Sequence, residues 1–255
     1  MLEVTPVPIL SDNYTWLVRA PQGPEAVVVD PGDAEPVQRA LDAMQLTLSA
    51  ILITHHHGDH VAGVDGLVGN GLPVYGPADS RIPHLTDPLE AGTHVVPAGL
   101  GFEFEVLAVP GHTLDHIAYL GEGMLFAGDA LFAGGCGRMF EGSAEQMQGY
   151  LATLRALPAD TRVYCGHEYT LANLTFAAAV EPDNEALQRR LEQVRAQRER
   201  GAITLPSTIG EERATNPFLR WDSATVRASA ESHAGQALDT PVAVFAALRN
   251  WKDHF

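Results

Sequence analysis

Leu48-Ser49-Ala50-Ile51-Leu52-Ile53-Thr54 runs without a break into His55-His56-His57-Gly58-Asp59-His60. The first seven residues read as a buried apolar strand, and the segment then leaves the strand end as a loop. His55, His57, Asp59 and His60 are imidazole and carboxylate donors, borderline to hard, of the kind that suits Zn2+, Fe2+ or Mn2+. While the backbone stays extended, His55 and His57 point the same way, because side chains there repeat with period two. Asp59 and His60 then turn toward a second position. His56 points away and is not expected to be a ligand. Gly58 is expected to supply backbone freedom at the bend. A tag-like histidine run would have neither the preceding strand nor the spaced aspartate.

Three further candidates also sit at strand ends: His112 in VPGHTLDH (109–116), Asp129 in LFAGDALF (125–132) and His167 in VYCGHEYT (163–170). Each follows an apolar run and a glycine. One such residue alone reads as a polar group in a turn; four such segments in one chain are hard to explain that way.

Around these segments the sequence predicts strands at 15–20, 26–30, 102–109, 116–120, 124–128 and 162–166, with a turn at Asp30-Pro31-Gly32. Helices are predicted over 34–45 and over 143–156, the latter capped by Ser143. Several strands follow one another directly, which favours two mixed sheets with helices outside over a doubly wound parallel sheet. Beyond about residue 170 the pattern turns helical, at 172–180, 184–200, 222–233 and 239–252. Leu187, Leu191 and Val194 make a narrow apolar stripe on the second of these. The expected organisation is a catalytic domain over 1–170 and a helical, substrate-binding subdomain over 171–255.

Composition narrows the function classes. The 255 residues are 45% hydrophobic, enough for a sizeable core, and carry a formal net charge of −16. Such a surface repels phosphate backbones and anionic membranes, so neither nucleic acid nor membrane is expected as a partner. No basic and apolar leader opens the chain and no apolar run approaches the ~18–20 residues of a membrane span. The expectation is a cytoplasmic monomer. Cys136 and Cys165 read as small buried structural thiols.

THHHGDH (54–60), PGHT (110–113), FAGDALF (126–132), GGCGRMFEG (134–142), CGHEYT (165–170), NPFLR (216–220) and RNWKDHF (249–255) together resemble the metallo-β-lactamase superfamily, and within it the glyoxalase II or hydroxyacylglutathione hydrolase family. The resemblance implies an α/β (α+β) fold, a four-layer αβ/βα sandwich with a C-terminal helical subdomain. It implies two divalent metal ions, with Zn2+ the first choice and Fe or Mn the alternatives. His55, His57 and His112 would hold one, Asp59, His60 and His167 the other, and Asp129 would bridge them. Arg138, Phe140, Tyr169, Arg249 and Lys252 fall at its glutathione-contacting positions.

The implied reaction is hydrolysis of S-2-hydroxyacylglutathione, S-D-lactoylglutathione foremost, to glutathione and a 2-hydroxy acid, the second step of methylglyoxal detoxification. A hydroxide shared by the two metals would be the nucleophile, oriented by Asp59. Two departures stand out: Arg138 replaces a lysine and Phe140 a tyrosine of better-known eukaryotic members. The rival readings are a lactonase, β-lactamase or different thioesterase of the superfamily, a nuclease, and a non-catalytic or redox metal protein.

Overall fold

Pro6 and Pro8 do not keep the first residues out of a sheet. The structure, a computed structural model, describes residues 2–69 and 71–255, and Glu3–Ile9 (β1) is a strand in it. β1 sits at a sheet edge and pairs only with Asn13–Arg19 (β2), antiparallel, with Pro6 opposite Trp16 and Pro8 opposite Tyr14. Residues two apart share one side of a strand, so the two missing N–H groups both fall on the unpaired edge, where proline is tolerated.

The chain folds into two compact units that alternate along the sequence. The first takes the residues up to Ala108, then Asp115–Gly128 and Tyr164–His167. Its first sheet continues from β2 to Glu25–Val29 (β3), which after Ala34–Met44 (α1) is joined in parallel by Thr47–Leu52 (β4). Two short helices follow, Gly58–Val61 (α2) and Val64–Leu67 (α3), and Val74–Pro77 (β5) and Asp87–Leu89 (β6) add further parallel strands. The mixed order β1-β2-β3-β4-β5-β6 results. Val28, Ile51 and Ile53 of this sheet meet Val37 and Leu41 of α1 in the core. Being buried, β3 and β4 read as continuous apolar runs rather than alternating ones. The second sheet of this unit is antiparallel: His94–Val95 (β7), Phe104–Ala108 (β8), Ile117–Gly121 (β9) and Met124–Gly128 (β10).

The second unit comprises Val109–Leu114, Asp129–Val163 and Glu168–Phe255. Leu131–Phe132 (β11) and Gly135–Cys136 (β12) form a small hairpin. Ala144–Arg155 (α4) opens with a capping box in which Ser143 and Gln146 exchange side-chain-to-backbone hydrogen bonds. Arg162–Cys165 (β13) begins in this unit and ends in the first. Helices Thr170–Val180 (α5) and Glu185–Glu199 (α6) pack together through Leu174, Ala177, Leu187, Leu191 and Val194. Ser207–Thr208 (β14) pairs with the start of β13, and Ile209–Thr215 (α7), Ala224–Ala234 (α8) and Pro241–Asp253 (α9) complete the unit. The fold is α/β with mixed sheets and a helical C-terminal part. No helix among the described residues is long and apolar enough to cross a membrane.

Charged residues are also built into the second unit's interior. Glu212 is fully buried and accepts hydrogen bonds from Gly134 N (2.8 Å), Arg190 Nη2 (2.7 Å) and Asn216 Nδ2 (3.0 Å). Arg190 also donates to Thr215 at 2.6 Å. The carboxylate thus ties α6 and α7 to the turn that starts β12. Removing one partner of a buried ion pair strands the other, at a cost of about 3–5 kcal/mol. Glu212→Ala is accordingly expected to lower the stability by about that amount, measured as the urea midpoint. A shift corresponding to less than ~1 kcal/mol, the scale of a surface pair, would show that the network is not anchoring the helices.

Candidate metal centre

The parallel pair β3 and β4 ends at one edge of the first sheet and delivers Asp30 and Thr54 side by side. Asp30 is buried and has a left-handed backbone (φ 54°), a conformation that aspartate enters more readily than most residues. Its carboxylate accepts from Thr54 N at 2.8 Å and Thr54 Oγ1 at 2.7 Å, which fixes the point where the chain leaves the sheet. His55 and His57 follow with ring centroids 4.7 Å apart, and His55 and His60 lie 4.2 Å apart. His57 caps α2, whose first turn carries Asp59 and His60. Gly58 has no positive φ and open space where a Cβ would stand, so the expected bend is not there. The demand for glycine falls instead on Gly32, where a Cβ would collide with the Asp59 carbonyl.

Within the first unit, Asp59, His60 and His167 bring their ligand atoms within 4.8 Å of one another. Asp59 Oδ2 is 3.3 Å from His167 Nε2 and 3.6 Å from His60 Nε2. The opposite ring nitrogens face acceptors: His167 Nδ1 is hydrogen-bonded to Asp12 Oδ1 at 2.9 Å, and His60 Nδ1 is 3.1 Å from Asp30 Oδ2. A neutral imidazole carries one proton, and a carboxylate at Nδ1 keeps it there. Nε2 then presents a lone pair toward the lone pairs of Asp59. That arrangement is repulsive on its own and becomes attractive around a cation.

His55 follows the same rule by another route. Thr54 Oγ1 gives its only proton to Asp30, so it can only accept from His55 Nδ1, 3.0 Å away. The donor set fits a divalent metal. Asn13 adds an amide N–H to Asp59 Oδ2 at 2.8 Å. His116 stacks on His55 with centroids 4.5 Å apart and planes 13° apart. His56 is turned to Asp79 and Asp115, 3.2 and 3.7 Å from its Nδ1. A hydrogen bond from Arg81 holds the Asp79 carboxyl well below the ordinary carboxylate range.

The second unit carries the other two candidate ligands. His112 Nε2 lies 3.4 Å from Asp129 Oδ2, and His112 Nδ1 is hydrogen-bonded to the Arg138 carbonyl at 3.0 Å, again leaving the lone pair on Nε2. Phe140 is 60% exposed, with its ring 5.2 Å from that of His112. Tyr169 stands edge-on to Phe132 at 5.3 Å. The Arg138 side chain is mostly exposed, 3.9 Å from Asp253 Oδ1. Lys252 Nζ sits 5.5 Å over Phe176 and 5.9 Å over Phe255. Burial pushes its ammonium pKa down, and so do Arg249 and Arg138.

Arg249 lies on α9, three residues before Lys252. It is 4% exposed and its guanidinium is bound to the Cys136 and Gly137 carbonyls and to Asp253. Cys136 and Cys165 are free and buried. Burial pushes the Cys136 thiol up to about 11, against the opposing pull of Arg249, which leaves no thiolate for nucleophilic attack at neutral pH.

Asp12, Asn13, Asp30 and His116 were not singled out in the sequence. Asp30 had a signal, an aspartate ending a β-branched buried run. Asp12 and Asn13 had none, because their partner His167 is 155 and 154 positions away.

This fold and donor set define the class. The chain belongs to the metallo-β-lactamase superfamily, whose family profile matches residues 10–167. Residues 168–255 match the hydroxyacylglutathione hydrolase C-terminus. The chain is 58% identical to the hydroxyacylglutathione hydrolase of Alkalilimnicola ehrlichii and 53% identical to that of Halorhodospira halophila, over 99% of both chains in each case. It is a member of the hydroxyacylglutathione hydrolase, or glyoxalase II, family. Among solved structures it resembles ETHE1 from Myxococcus xanthus (TM-score 0.66, 26% identity, 98% of this chain and 91% of that one). It also resembles TTHA1623 in a di-iron-bound form (TM-score 0.60, 27% identity, 84% and 99%).

Carboxylates behind metal-binding histidines typically contribute 10–100-fold to metal affinity. Asp12→Ala is expected to weaken metal binding by about tenfold and leave the melting temperature of the metal-free protein nearly unchanged. Titration against a chromophoric chelator checks this; unchanged affinity would show that Asp12 does not orient His167.

Proposed function

We propose that the chain hydrolyses the thioester of S-2-hydroxyacylglutathione, S-D-lactoylglutathione foremost, to glutathione and a 2-hydroxy acid, as a cytoplasmic monomer in methylglyoxal detoxification. The observation that carries this reading is the match of residues 168–255 to the hydroxyacylglutathione hydrolase C-terminus. The histidine and aspartate set is common to a superfamily of hydrolases, whereas this segment bears the residues that would select the thiol.

In this reading His55, His57 and His112 hold one divalent metal and Asp59, His60 and His167 the other, with Asp129 shared. Zn2+ is the first choice and Fe or Mn the alternatives. The metals would supply Lewis acidity and a water of lowered pKa. The chain's contribution is orientation. Each proton held at Nδ1 of His55, His112 and His167 keeps the corresponding Nε2 in its ligating form. Asp59, steadied by Asn13, also orients the attacking water.

The leaving group makes little further demand. A thiol has a pKa of ~8.5, so its thiolate departs without a dedicated strong acid. Glutathione brings two carboxylates, and the cations that would meet them are Arg138, Arg249 and Lys252 on the second unit. Lys252 gains from an anion because its ammonium is half-buried and crowded by two like charges. Phe140 and Tyr169 offer apolar faces to the peptide, and residues 171–255 form the substrate-binding part of the chain.

Chelator-stripped protein is expected to lose thioesterase activity and regain it with Zn2+. Full activity in the stripped state would reject the reading, as would faster turnover of a lactone or a β-lactam. Lys252→Ala is expected to raise KM for lactoylglutathione about tenfold, the scale of a lost charge-assisted hydrogen bond, with kcat held. A collapse of kcat at normal metal content would contradict a binding role. Phe140→Tyr is expected to lower KM about threefold through an added hydroxyl contact; steady-state kinetics with KM unchanged or higher would refute that.

A further inference from the structure

We infer that Asn13 is a positioning residue for one of the two metal positions: its carboxamide turns Asp59 inward and sets that carboxylate against His167. This rests on Asp59 and His167 being ligands, as proposed above.

Of its trio, Asp59 is the ligand in need of a tether. It stands in the first turn of the four-residue helix α2. Its side chain is 36% exposed, against 2% for His60 and 6% for His167. A charged group gains by turning to water, so burial alone does not hold this carboxylate in the site. Asn13 Nδ2 donates to Asp59 Oδ2 at 2.8 Å. Oδ2 is the oxygen that lies 3.3 Å from His167 Nε2 and 3.6 Å from His60 Nε2. A carboxylate oxygen carries two lone pairs, so one can take the amide proton while the other is left for a cation. The same chemistry orients the amide, because its carbonyl oxygen in that place would face the carboxylate acceptor to acceptor.

Asn13 is itself held in place. It is buried and opens β2. Its backbone forms an antiparallel bridge with His167, and the next residue, Tyr14, donates its N–H to the Gly166 carbonyl at 2.8 Å. Asn13 Nδ2 lies 3.3 Å from His167 Nε2, while Asp12 meets Nδ1 of the same ring at 2.9 Å. The turn between β1 and β2 therefore reaches both nitrogens of one imidazole. Through Asn13 it joins two ligand-bearing segments that are 46 and 154 positions away in the chain. Backbone pairing sets Asn13 against His167, and the amide hands that register on to Asp59. Both contacts fall on ligands assigned to the same metal position, so the effect belongs there and not to the position of His55, His57 and His112.

In the full chain, Asn13→Leu keeps the size of the side chain and removes its N–H groups. It is expected to weaken one of two Zn2+ equivalents by at least about tenfold in chelator competition, within the range for outer-shell partners of metal ligands, and to leave the other at the parental affinity. The weakened equivalent should be the one that Asp59→Ala loses. At saturating Zn2+, kcat for lactoylglutathione should fall while KM stays within about threefold of the parental value, short of a lost substrate contact. If Asn13→Leu does not fold, as judged by circular dichroism of the metal-free protein, the same readings on Asn13→Ser, whose side chain ends one bond short of the amide nitrogen, decide. Parental affinity for both equivalents would overturn the inference. An equal loss at both would overturn it too, because that is the mark of a loosened fold. Asp59→Ala separates the two levels. If it binds both equivalents as the parent does, the ligand assignment itself fails; if it loses one while Asn13→Leu keeps both, only the positioning role fails.

Discussion

The placement of a few protons governs this molecule. An imidazole can face a cation only if its proton resides on the other nitrogen, and four rings here have an oxygen set against Nδ1: Thr54 Oγ1, Asp30, the Arg138 carbonyl and Asp12. These oxygens come from a strand end, a left-handed turn, a loop and the residues just before β2. The largely apolar strands β3 and β4 do more than build a core. By running parallel they end together, and so put the Asp30 carboxylate where it fixes the exit of the chain at Thr54 and lies 3.1 Å from His60 Nδ1.

The second unit uses charge in a different way. Beside the apolar packing of α5 on α6, buried ion pairs supply part of the cohesion. Glu212 gathers Arg190, Asn216 and the start of β12, and Glu181 gathers Arg220, Ser223 and Thr225. Each acid is buried yet satisfied, which is the condition under which such groups are tolerated. Satisfied networks of this kind hold backbone in one geometry, and the hairpin they support leads directly into Gly137 and Arg138.

The histidine and aspartate candidates were legible because metal chemistry restricts donor types and because His112, Asp129 and His167 each follow an apolar run and a glycine. Helices α4, α5, α6 and α9 were legible within a residue or two, since capping residues and apolar stripes are local. What stayed hidden was long-range or went against local propensity. β1 was masked by its two prolines, harmless only because the strand is an edge. Asp12 and Asn13 act on His167 across nearly the length of the first unit's sequence. Gly58 drew attention as a bend residue, whereas the crowded position is Gly32, where the constraint is a neighbouring carbonyl that no sequence reading displays.

Asp12 and Asn13 meet His167, Tyr14 N donates to the Gly166 carbonyl at 2.8 Å, and Trp16 Nε1 to the Cys165 carbonyl at 3.0 Å. The first strands of the protein are therefore completed by a tetrapeptide, Tyr164–His167, that a ribosome makes long afterwards. During synthesis the nascent chain displays the His55–His60 loop with its acidic and imidazole donors while their last partner is still unmade. The set of donors around that loop is complete only once His167 has been made, with residues 168–255 of the second unit still to come.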